Sequence, residues 1–394
     1  MREVYLDNAG TTKVRPEVVD AMMPYLTEHY YNPSSLYSDS VKVANAINDS
    51  RRIIADFIGA NLDEVFFTSG SSESNCTAIE GFVFGGVASR RNQEAFHDGS
   101  DFEGLAIITT TIEHKSIMKC VDNMEDLGCY VEYVNVDENG FVDVDDLTMT
   151  LNEYDCCNML VSIQLANNEI GVIQYINSIS KIVHEHGGIL HVDATQAFAQ
   201  IPIDVDDMEI DMLSASAHKI GGPKGTGVLY KRSGINIEPI IYGSQMNGFR
   251  GGTENVAGIV GMAKAVELAS NEIREKSNLS ERRDYFIENL ESIGCTLNGP
   301  SEHRLPNNVS VQLPSGVGGE EMLYMLDLGG IMVSTGSACN SHSKEPSYVL
   351  KAIGLSDEES ARTIRITISD EITYDIIDKV ICEIDKNIKL IKSE

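Results

Sequence analysis

The residues with the clearest potential for chemistry surround Lys219. This lysine ends the segment SASAHK (214–219), and a turn of sequence GGPKG (221–225) follows it. A lysine at the end of a buried strand loses part of its hydration, which lowers the pKa of the amine and leaves it nucleophilic. The pattern is typical of a lysine that forms a Schiff base. Taken alone, the segment also fits an ordinary exposed loop lysine.

An aspartate ends a second apolar segment, LHVDATQ (190–196), at Asp193. Pyridoxal phosphate requires a carboxylate in such a place, because a negative charge beside the pyridinium nitrogen keeps the ring protonated and able to withdraw electrons from a substrate. Asp193 and Lys219 together therefore predict a pyridoxal phosphate site. For Asp193 alone, a helix N-cap in Asp-Ala-Thr is the alternative.

Serine residues follow a third apolar segment and begin a helix. The sequence VFFTSGSSESN (65–75) passes through Gly70 to Ser71 and Ser72. Free N–H groups at a helix N-terminus, serine hydroxyls and the positive end of the helix dipole together suit a phosphate group. We expect the cofactor phosphate to bind here, and simple capping by Ser71 or Ser72 is compatible with that role.

The elements that position these residues alternate in type over the first two-thirds of the chain. Short apolar, β-branched runs are separated by segments with helical spacing of apolar residues, which predicts a parallel or mixed sheet with helices on both faces. The predicted strands are 64–68, 105–109, 130–136, 159–165, 188–192, 212–214 and 227–231, and the predicted helices include 41–59, 116–127 and 178–186.

The sequence changes character after Thr253. Charged helices are predicted over 258–280 and 281–293, and an amphipathic helix near 374–391, so this part is expected to be a smaller α+β domain. The strand predicted around Tyr5 could belong to either part.

The composition limits the classes of partner. The chain has 394 residues, with 60 acidic and 30 basic side chains and a formal net charge of −30. This charge repels nucleic acids and anionic membranes, so we expect neither as a direct partner. The sequence has no apolar run of about 18 residues, and Asp7 falls where a secretion signal would be apolar. We therefore expect a cytoplasmic protein.

The eight cysteines are scattered without a C-x-x-C pair. This distribution predicts buried thiols that pack as small hydrophobic side chains, and neither a disulfide framework nor a zinc ribbon. Cys339 is the cysteine with unusual surroundings, because it ends the segment STGSAC (334–339).

Two further motifs, EHK (113–115) and NNEIG (167–171), lie between these segments. The whole set, from YLDNAGTT (5–12) to IRI (364–366), resembles the cysteine desulfurases of the NifS/IscS type, which are fold-type I pyridoxal phosphate enzymes of the class-V aminotransferase family. The resemblance implies an α/β fold with a mainly parallel seven-stranded sheet, helices on both faces and a smaller α+β domain. We expect a large cofactor-binding domain at 15–255 and a small domain formed by 1–14 and 256–394.

The resemblance also implies which residues bind the cofactor. Lys219 binds it covalently, Asp193 pairs with the pyridinium nitrogen, and Gln196 and Asn168 lie at the phenolate oxygen. His114 stacks on the ring and moves protons. The expected phosphate ligands are Ser71, Ser72, Ser216, His218 and, from the second subunit of a homodimer, Thr253.

The substrate implied by the resemblance is L-cysteine. Arg365 binds its carboxylate with help from Asn168, and the Cys339 thiolate attacks its sulfur, which leaves a persulfide on Cys339 and gives L-alanine. We expect segment 329–346, rich in glycine and polar residues, to be a mobile loop. Without the resemblance, an inert loop thiol is the alternative for Cys339.

The expected recipient of the sulfur is an acceptor protein, either an iron–sulfur scaffold or a thiolation enzyme. Cys339 is also the one candidate for a transient iron–sulfur ligand, and no other metal ligand is predicted. Two other functions stay open. A selenocysteine lyase or another β-eliminating enzyme would need no nucleophilic thiol, and a catalytically silent relative would serve as an assembly or interaction protein.

The sequence departs from the family pattern at four positions. Ser72 stands where threonine is common, and it preserves the hydroxyl. Tyr37 replaces the usual histidine, Cys76 a frequent asparagine, and Met246 the usual glutamate. These last three residues border the expected active site or subunit interface.

Overall fold

The computed structural model describes residues 3–91, 102, 104–155, 157–274, 278–335 and 346–393. The strands are β1 (Val4–Tyr5), β2 (Val65–Thr68), β3 (Leu105–Thr110), β4 (Tyr130–Val134), β5 (Asn158–Gln164), β6 (Ile189–Asp193), β7 (Met212–Ser216), β8 (Gly227–Lys231), β9 (Thr296–Leu297), β10 (Asn308–Gln312), β11 (Ile331–Met332), β12 (Ser334–Thr335) and β13 (Thr363–Thr367). The helices are α1 (Pro16–Thr27), α2 (Ser38–Ile58), α3 (Ser71–Arg91), α4 (Lys115–Asp126), α5 (Val144–Glu153), α6 (Ile176–Glu185), α7 (Val256–Arg274), α8 (Leu279–Ser292), α9 (Gly319–Leu328), α10 (Tyr348–Ala352), α11 (Asp357–Ala361) and α12 (Tyr374–Ile391).

The main sheet has seven strands in the order β2-β8-β7-β6-β5-β3-β4. The pairs among β7, β6, β5, β3 and β4 are parallel, and β8 runs antiparallel to both of its neighbours. The mainly parallel seven-stranded sheet that the family resemblance implied is therefore confirmed.

Both faces of this sheet are apolar and covered by helices. Successive side chains of a strand point to opposite faces. Ile108 and Val161 accordingly belong to a core with α2, α5, α6 and α7, whereas their neighbours Ile107 and Leu160 belong to a core with α3 and α4. The continuous apolar runs seen in the sequence follow from this double burial.

A second sheet has four antiparallel strands in the order β12-β13-β10-β9. Its core includes Phe286 of α8, Met322 of α9 and Ile384 of α12. Strand β1, whose place the sequence left undecided, pairs in parallel with β11 and adds Leu6 to this core.

The ends of helices α7 and α8 differ from the prediction. The sequence predicted one helix over 258–280, but α7 ends at Arg274 and α8 already begins at Leu279. Buried residues of α7, such as Ile259 and Met262, pack into the core of the main sheet. No helix among the described residues is long and apolar enough to cross a membrane.

Candidate active site

The carboxyl ends of four neighbouring parallel strands converge at one edge of the main sheet. Strands β3, β5, β6 and β7 end at Thr110, Gln164, Asp193 and Ser216, respectively. The predicted site segments follow directly after these strand ends. Ligands of open α/β sheets bind at such edges, so the fold itself gathers the residues that the sequence singled out.

Lys219 lies in a short 3-10 turn after β7 and points toward the start of the chain. Its Nζ donates hydrogen bonds to the carbonyl oxygens of Ala9, at 2.5 Å, and Gly10, at 2.8 Å. Nε2 of Gln196 donates to the same Ala9 oxygen at 3.1 Å. The Ala9 carbonyl oxygen therefore accepts from two of the predicted cofactor-binding residues.

Asp193 is a buried carboxylate whose partners are neutral. Its side chain is 4% exposed. Oδ2 accepts a hydrogen bond from Nδ2 of Asn75 at 2.8 Å, and Oδ1 accepts from the Thr195 amide at 2.9 Å and from the Thr195 hydroxyl. The sequence also allowed Asp193 to be a helix N-cap. Asp193 does bind the Thr195 amide as a cap would, but a turn and no helix follows it. A buried carboxylate with neutral donors suits a cationic ligand atom.

His114 is connected to Asp193 by two polar side chains that the sequence did not reveal. Nδ1 of His114, the N-cap of α4, accepts from the Ser116 amide at 3.1 Å and lies 2.8 Å from the Ser116 Oγ. That Oγ accepts from Nδ2 of the fully buried Asn75 at 2.9 Å, so its own proton is directed to His114. In the neutral imidazole, Nε2 then carries the ring proton.

The N-terminus of α3 offers donors for a phosphate. Among the described residues, the main-chain amides of Ser71 and Ser72 have no acceptor. A Cβ added to Gly70 would lie 3.9 Å from Oγ of Ser216, which places that hydroxyl beside the helix start. These donors fit the phosphate of pyridoxal phosphate, although the Ser72 side chain is exposed.

The other two predicted phosphate ligands are arranged differently. Nδ1 of His218 lies 3.1 Å from the Thr11 Oγ1, and burial, with the nearby charges of Lys219 and Lys224, lowers the pKa of His218 to about 4. This imidazole is therefore neutral at neutral pH. Thr253 is exposed in this chain. Its role from a second subunit stays a prediction.

Arg365 reaches the site from the smaller sheet. The side chain is 3% exposed, and its Nη2 donates to Oδ1 of Asp7 at 2.8 Å while Nη1 donates to the main-chain oxygen of Asn168 at 3.1 Å. Its Nε is buried without an acceptor among the described residues. The guanidinium thus contacts the main chain of Asn168, and these two bonds use two of its five N–H donors. The pairing with Asp7 was not predicted.

Two buried glutamates close to the site were missed as functional residues. Burial raises the pKa of Glu113 to about 8, and Oε1 accepts from the Thr110 hydroxyl at 2.7 Å and the Gln164 amide at 3.0 Å. Burial raises the pKa of Glu169 to about 7. Each stands within a motif noted in the sequence, EHK or NNEIG, and a carboxylate directly after an apolar strand was the available signal.

Cys339 lies outside the described residues, as do positions 336–345 of the predicted loop 329–346. The described residues that follow are bound to the site. The Ser347 hydroxyl donates to Oε2 of Glu169, and the Tyr348 hydroxyl donates to the main-chain oxygen of Glu113, both at 2.5 Å. Ser347 and Tyr348 therefore lie next to the strand ends that carry the other predicted residues.

Comparisons with known proteins agree with this geometry. The family model described as Aminotransferase class-V matches residues 4–380. The chain is 44% identical to a "Cysteine desulfurase IscS" of Dictyoglomus turgidum, over 96% of this chain and 95% of that protein. A solved structure titled "NIFS-LIKE PROTEIN" superposes with a TM-score of 0.88 at 32% identity, covering 98% of this chain and all of the other. The structure titled "SspA in complex with cysteine" has a TM-score of 0.79 at 34% identity, over 93% and 98% of the two chains.

The match covers both sheets and every described site segment, from the Ala9 carbonyl to Arg365. On the family model and the identity over nearly the whole chain, this protein belongs to the class-V aminotransferase family.

Proposed function

We propose that this chain is a pyridoxal-phosphate-dependent cysteine desulfurase, which converts L-cysteine to L-alanine and leaves the sulfur as a persulfide on Cys339. The observation that carries the proposal is the buried Asp193 carboxylate, which has neutral partners and lies at the same strand edge as Lys219. Such a pair serves an electron-withdrawing pyridinium cofactor bound to a lysine.

The cofactor, when bound, withdraws electrons from the carbon atoms of the amino acid and so labilises the C–S bond. In this proposal Lys219 holds it covalently and Asp193 carries the charge that faces its ring nitrogen. Gln196 and Asn168 would bind its phenolate oxygen. Its phosphate is held by the amides of α3, with the side chains of Ser71, Ser72, Ser216 and His218.

The chain's own residues would supply binding, proton transfer and the nucleophile. Arg365 binds the substrate carboxylate, for which the planar guanidinium is suited. His114 exchanges protons through Nε2, since the Ser116 amide and hydroxyl occupy Nδ1. Cys339 gives up its proton and attacks the substrate sulfur; the C–S bond breaks, an S–S bond forms, and the substrate carbon takes a proton, so L-alanine leaves.

The protein is proposed to work as a homodimer in the cytoplasm. Large apolar side chains are exposed in the single chain, among them Tyr30, Leu36, Tyr37 and Tyr242. Contact with a second subunit is the ordinary way to remove such side chains from water. The same contact would bring in Thr253. The sulfur acceptor is proposed to be a protein, such as an iron–sulfur scaffold or a thiolation enzyme.

The proposed division has two domains, 15–255 and 1–14 with 256–394, but the position of its second boundary needs adjustment. Helix α7, which begins at residue 256, packs against the main sheet, and this favours a boundary after Arg274.

The test is a comparison of three purified variants for visible absorbance and for sulfide and alanine production from L-cysteine with a thiol reductant. Lys219→Ala should lose both the visible cofactor band and activity. Cys339→Ser should keep the band and lose sulfide release, whereas Cys382→Ser, which alters an exposed cysteine of α12, should keep both.

Full sulfide release by Cys339→Ser would overturn the role of that thiol and favour a β-eliminating enzyme. Absence of a visible band in the unaltered protein supplied with pyridoxal phosphate would overturn the whole proposal.

A further inference from the structure

A cluster of two thiols and a carboxylate lies between helices α3 and α4, which cover one face of the main sheet. Cys76 and Glu80 are four residues apart in α3 and so share one face of that helix, and Cys120 faces them from α4. The two sulfur atoms and a carboxylate oxygen all lie within 4.8 Å of one another.

The distances match those between ligands of one metal ion. Sγ of Cys120 lies 3.7 Å from Oε1 of Glu80. In a tetrahedral zinc site with bonds of about 2.3 Å to sulfur and about 2.1 Å to oxygen, a sulfur and an oxygen ligand are about 3.6 Å apart. Cys120 donates a hydrogen bond to Glu80 over this distance, and the two helices thus hold the sulfur and the oxygen at the separation that two ligands of one zinc ion have.

The surroundings of the two thiols leave a negative charge to be neutralised. The acidic groups beside them are Glu80, which belongs to the cluster, and Glu73, which forms an ion pair with Arg250. A cation that binds both sulfur atoms displaces the protons of the two thiols. Cys120 is buried, while Cys76 and Glu80 are partly exposed, which gives an ion a path to the site.

We propose that Cys76, Glu80 and Cys120 bind one thiophilic divalent cation of the zinc class. Binding is a ligand exchange: two Zn–S bonds and one Zn–O bond form, the protons of the two thiols go to solvent, and nothing is oxidised. A disulfide would involve only the two sulfur atoms, whereas the adjacent carboxylate can serve as a third ligand of a cation. The presence of Glu80 therefore favours cation binding over disulfide formation. The site also gives a reason for Cys76, which stands where the family frequently has asparagine.

A metal ion here would fasten α3 to α4. Cys76 directly follows Asn75, whose side chain binds both Asp193 and Ser116. The ion would therefore hold in place the two helices that connect His114 to Asp193, and it would stabilise the folded protein by mass action.

The test uses the full-length protein with pyridoxal phosphate and with Cys339→Ser as the parent, so that the proposed nucleophile does not bind the probe. After removal of metal with a chelator, the protein is dialysed against Zn²⁺, and bound zinc is counted by elemental analysis. The parent should hold about one ion per subunit more than the Cys76→Ser and Cys120→Ser derivatives. Zinc-edge X-ray absorption should show two sulfur ligands at about 2.3 Å.

Two further variants make the test decisive. Glu80→Gln keeps both thiols and should bind Zn²⁺ at least about tenfold more weakly. Cys382→Ser, which alters the exposed cysteine of α12, should bind like the parent. Near-ultraviolet circular dichroism reports whether each variant is folded. Equal bound zinc in the parent and in a folded Cys76→Ser variant, equal Zn²⁺ affinity in the parent and in a folded Glu80→Gln variant, absence of sulfur ligands, or a Cys76–Cys120 disulfide in the metal-free protein would overturn the proposal.

Discussion

Exchanging the carboxylate of Asp193 and the amide of Asn75 tests the hydrogen-bond geometry of the site through protein stability, independently of enzyme activity. Both oxygens of Asp193 accept hydrogen bonds, one from Asn75 and the other from Thr195. In Asp193→Asn one oxygen becomes an NH₂ group. Whichever way the amide turns, this group faces the donor of Asn75 or the main-chain N–H of Thr195, and the two donors oppose each other.

The cost follows from burial. A buried polar group left without its partner costs about 1–3 kcal/mol. The unfolding entropy of a 394-residue chain is about 0.8 kcal/mol/K, so Asp193→Asn should lower the Tm of the cofactor-free protein by about 1–4 °C. Asn75→Asp alone should be worse, since it places two buried carboxylates side by side. The double variant restores a donor–acceptor pair, and its Tm should be higher than the sum of the single effects predicts.

The assay is thermal unfolding of the cofactor-free proteins, with Asp126→Asn, an exposed site on α4, as the matched control that should melt like wild type. Activity should separate from stability. The double variant has moved the carboxylate away from the cofactor, so kcat/KM should stay down by about 30-fold or more, corresponding to 2–5 kcal/mol. An unchanged Tm for Asp193→Asn, or no recovery in the double variant, would refute the hydrogen-bond assignment.

Three more predictions concern stability. Burial raises the pKa of Glu113 from 4.5 to about 8, so between these pH values the folded protein binds more protons than the unfolded chain. The folded protein therefore loses stability as the pH rises through this range. Glu113→Gln should remove this loss, which urea unfolding at pH 5 and pH 9 would show. His191 lies between the hydroxyls of Ser162 and Ser214, and burial lowers its pKa from 6.5 to about 4, so its contribution is lost as pH falls through that range; His191→Gln should flatten the acid limb of the same profile. A Cβ on Gly227 would lie 2.6 Å from the Gly70 Cα, so Gly227→Ala should cost about 1–3 kcal/mol in a thermal melt, more than Gly318→Ala, where φ is −75° and the nearest atom lies 3.7 Å away.

The strands of the main sheet were predictable because burial on both faces makes each a continuous apolar run. The predicted strand 105–109 falls within Leu105–Thr110, and 227–231 coincides with β8. The antiparallel direction of β8 was not predictable in this way, since an apolar run carries no sign of its direction. The predicted boundary between α7 and α8 was wrong because charged helical spacing continues across residues 258–293.

The site was predictable where a motif carries the residue. Lys219 and Asp193 follow strands in segments typical of their chemistry, and the fold brings both to one edge. The partners of these residues were not predictable. Asn75 reaches Asp193 over 118 positions and Ser116 over 41. The packing of α3 against the main sheet and against α4 sets those distances. The raised pKa of Glu113 depends likewise on its complete burial.

The Ala9 carbonyl that binds Lys219 and Gln196 belongs to a segment held in place by β1, whose partner β11 begins 327 positions later, at Ile331. A ribosome adding about 5–20 residues per second needs roughly 15–65 s to make that stretch. The beginning of the polypeptide must wait unpaired for this time, so a nascent chain acquires its complete reaction centre only as synthesis is ending.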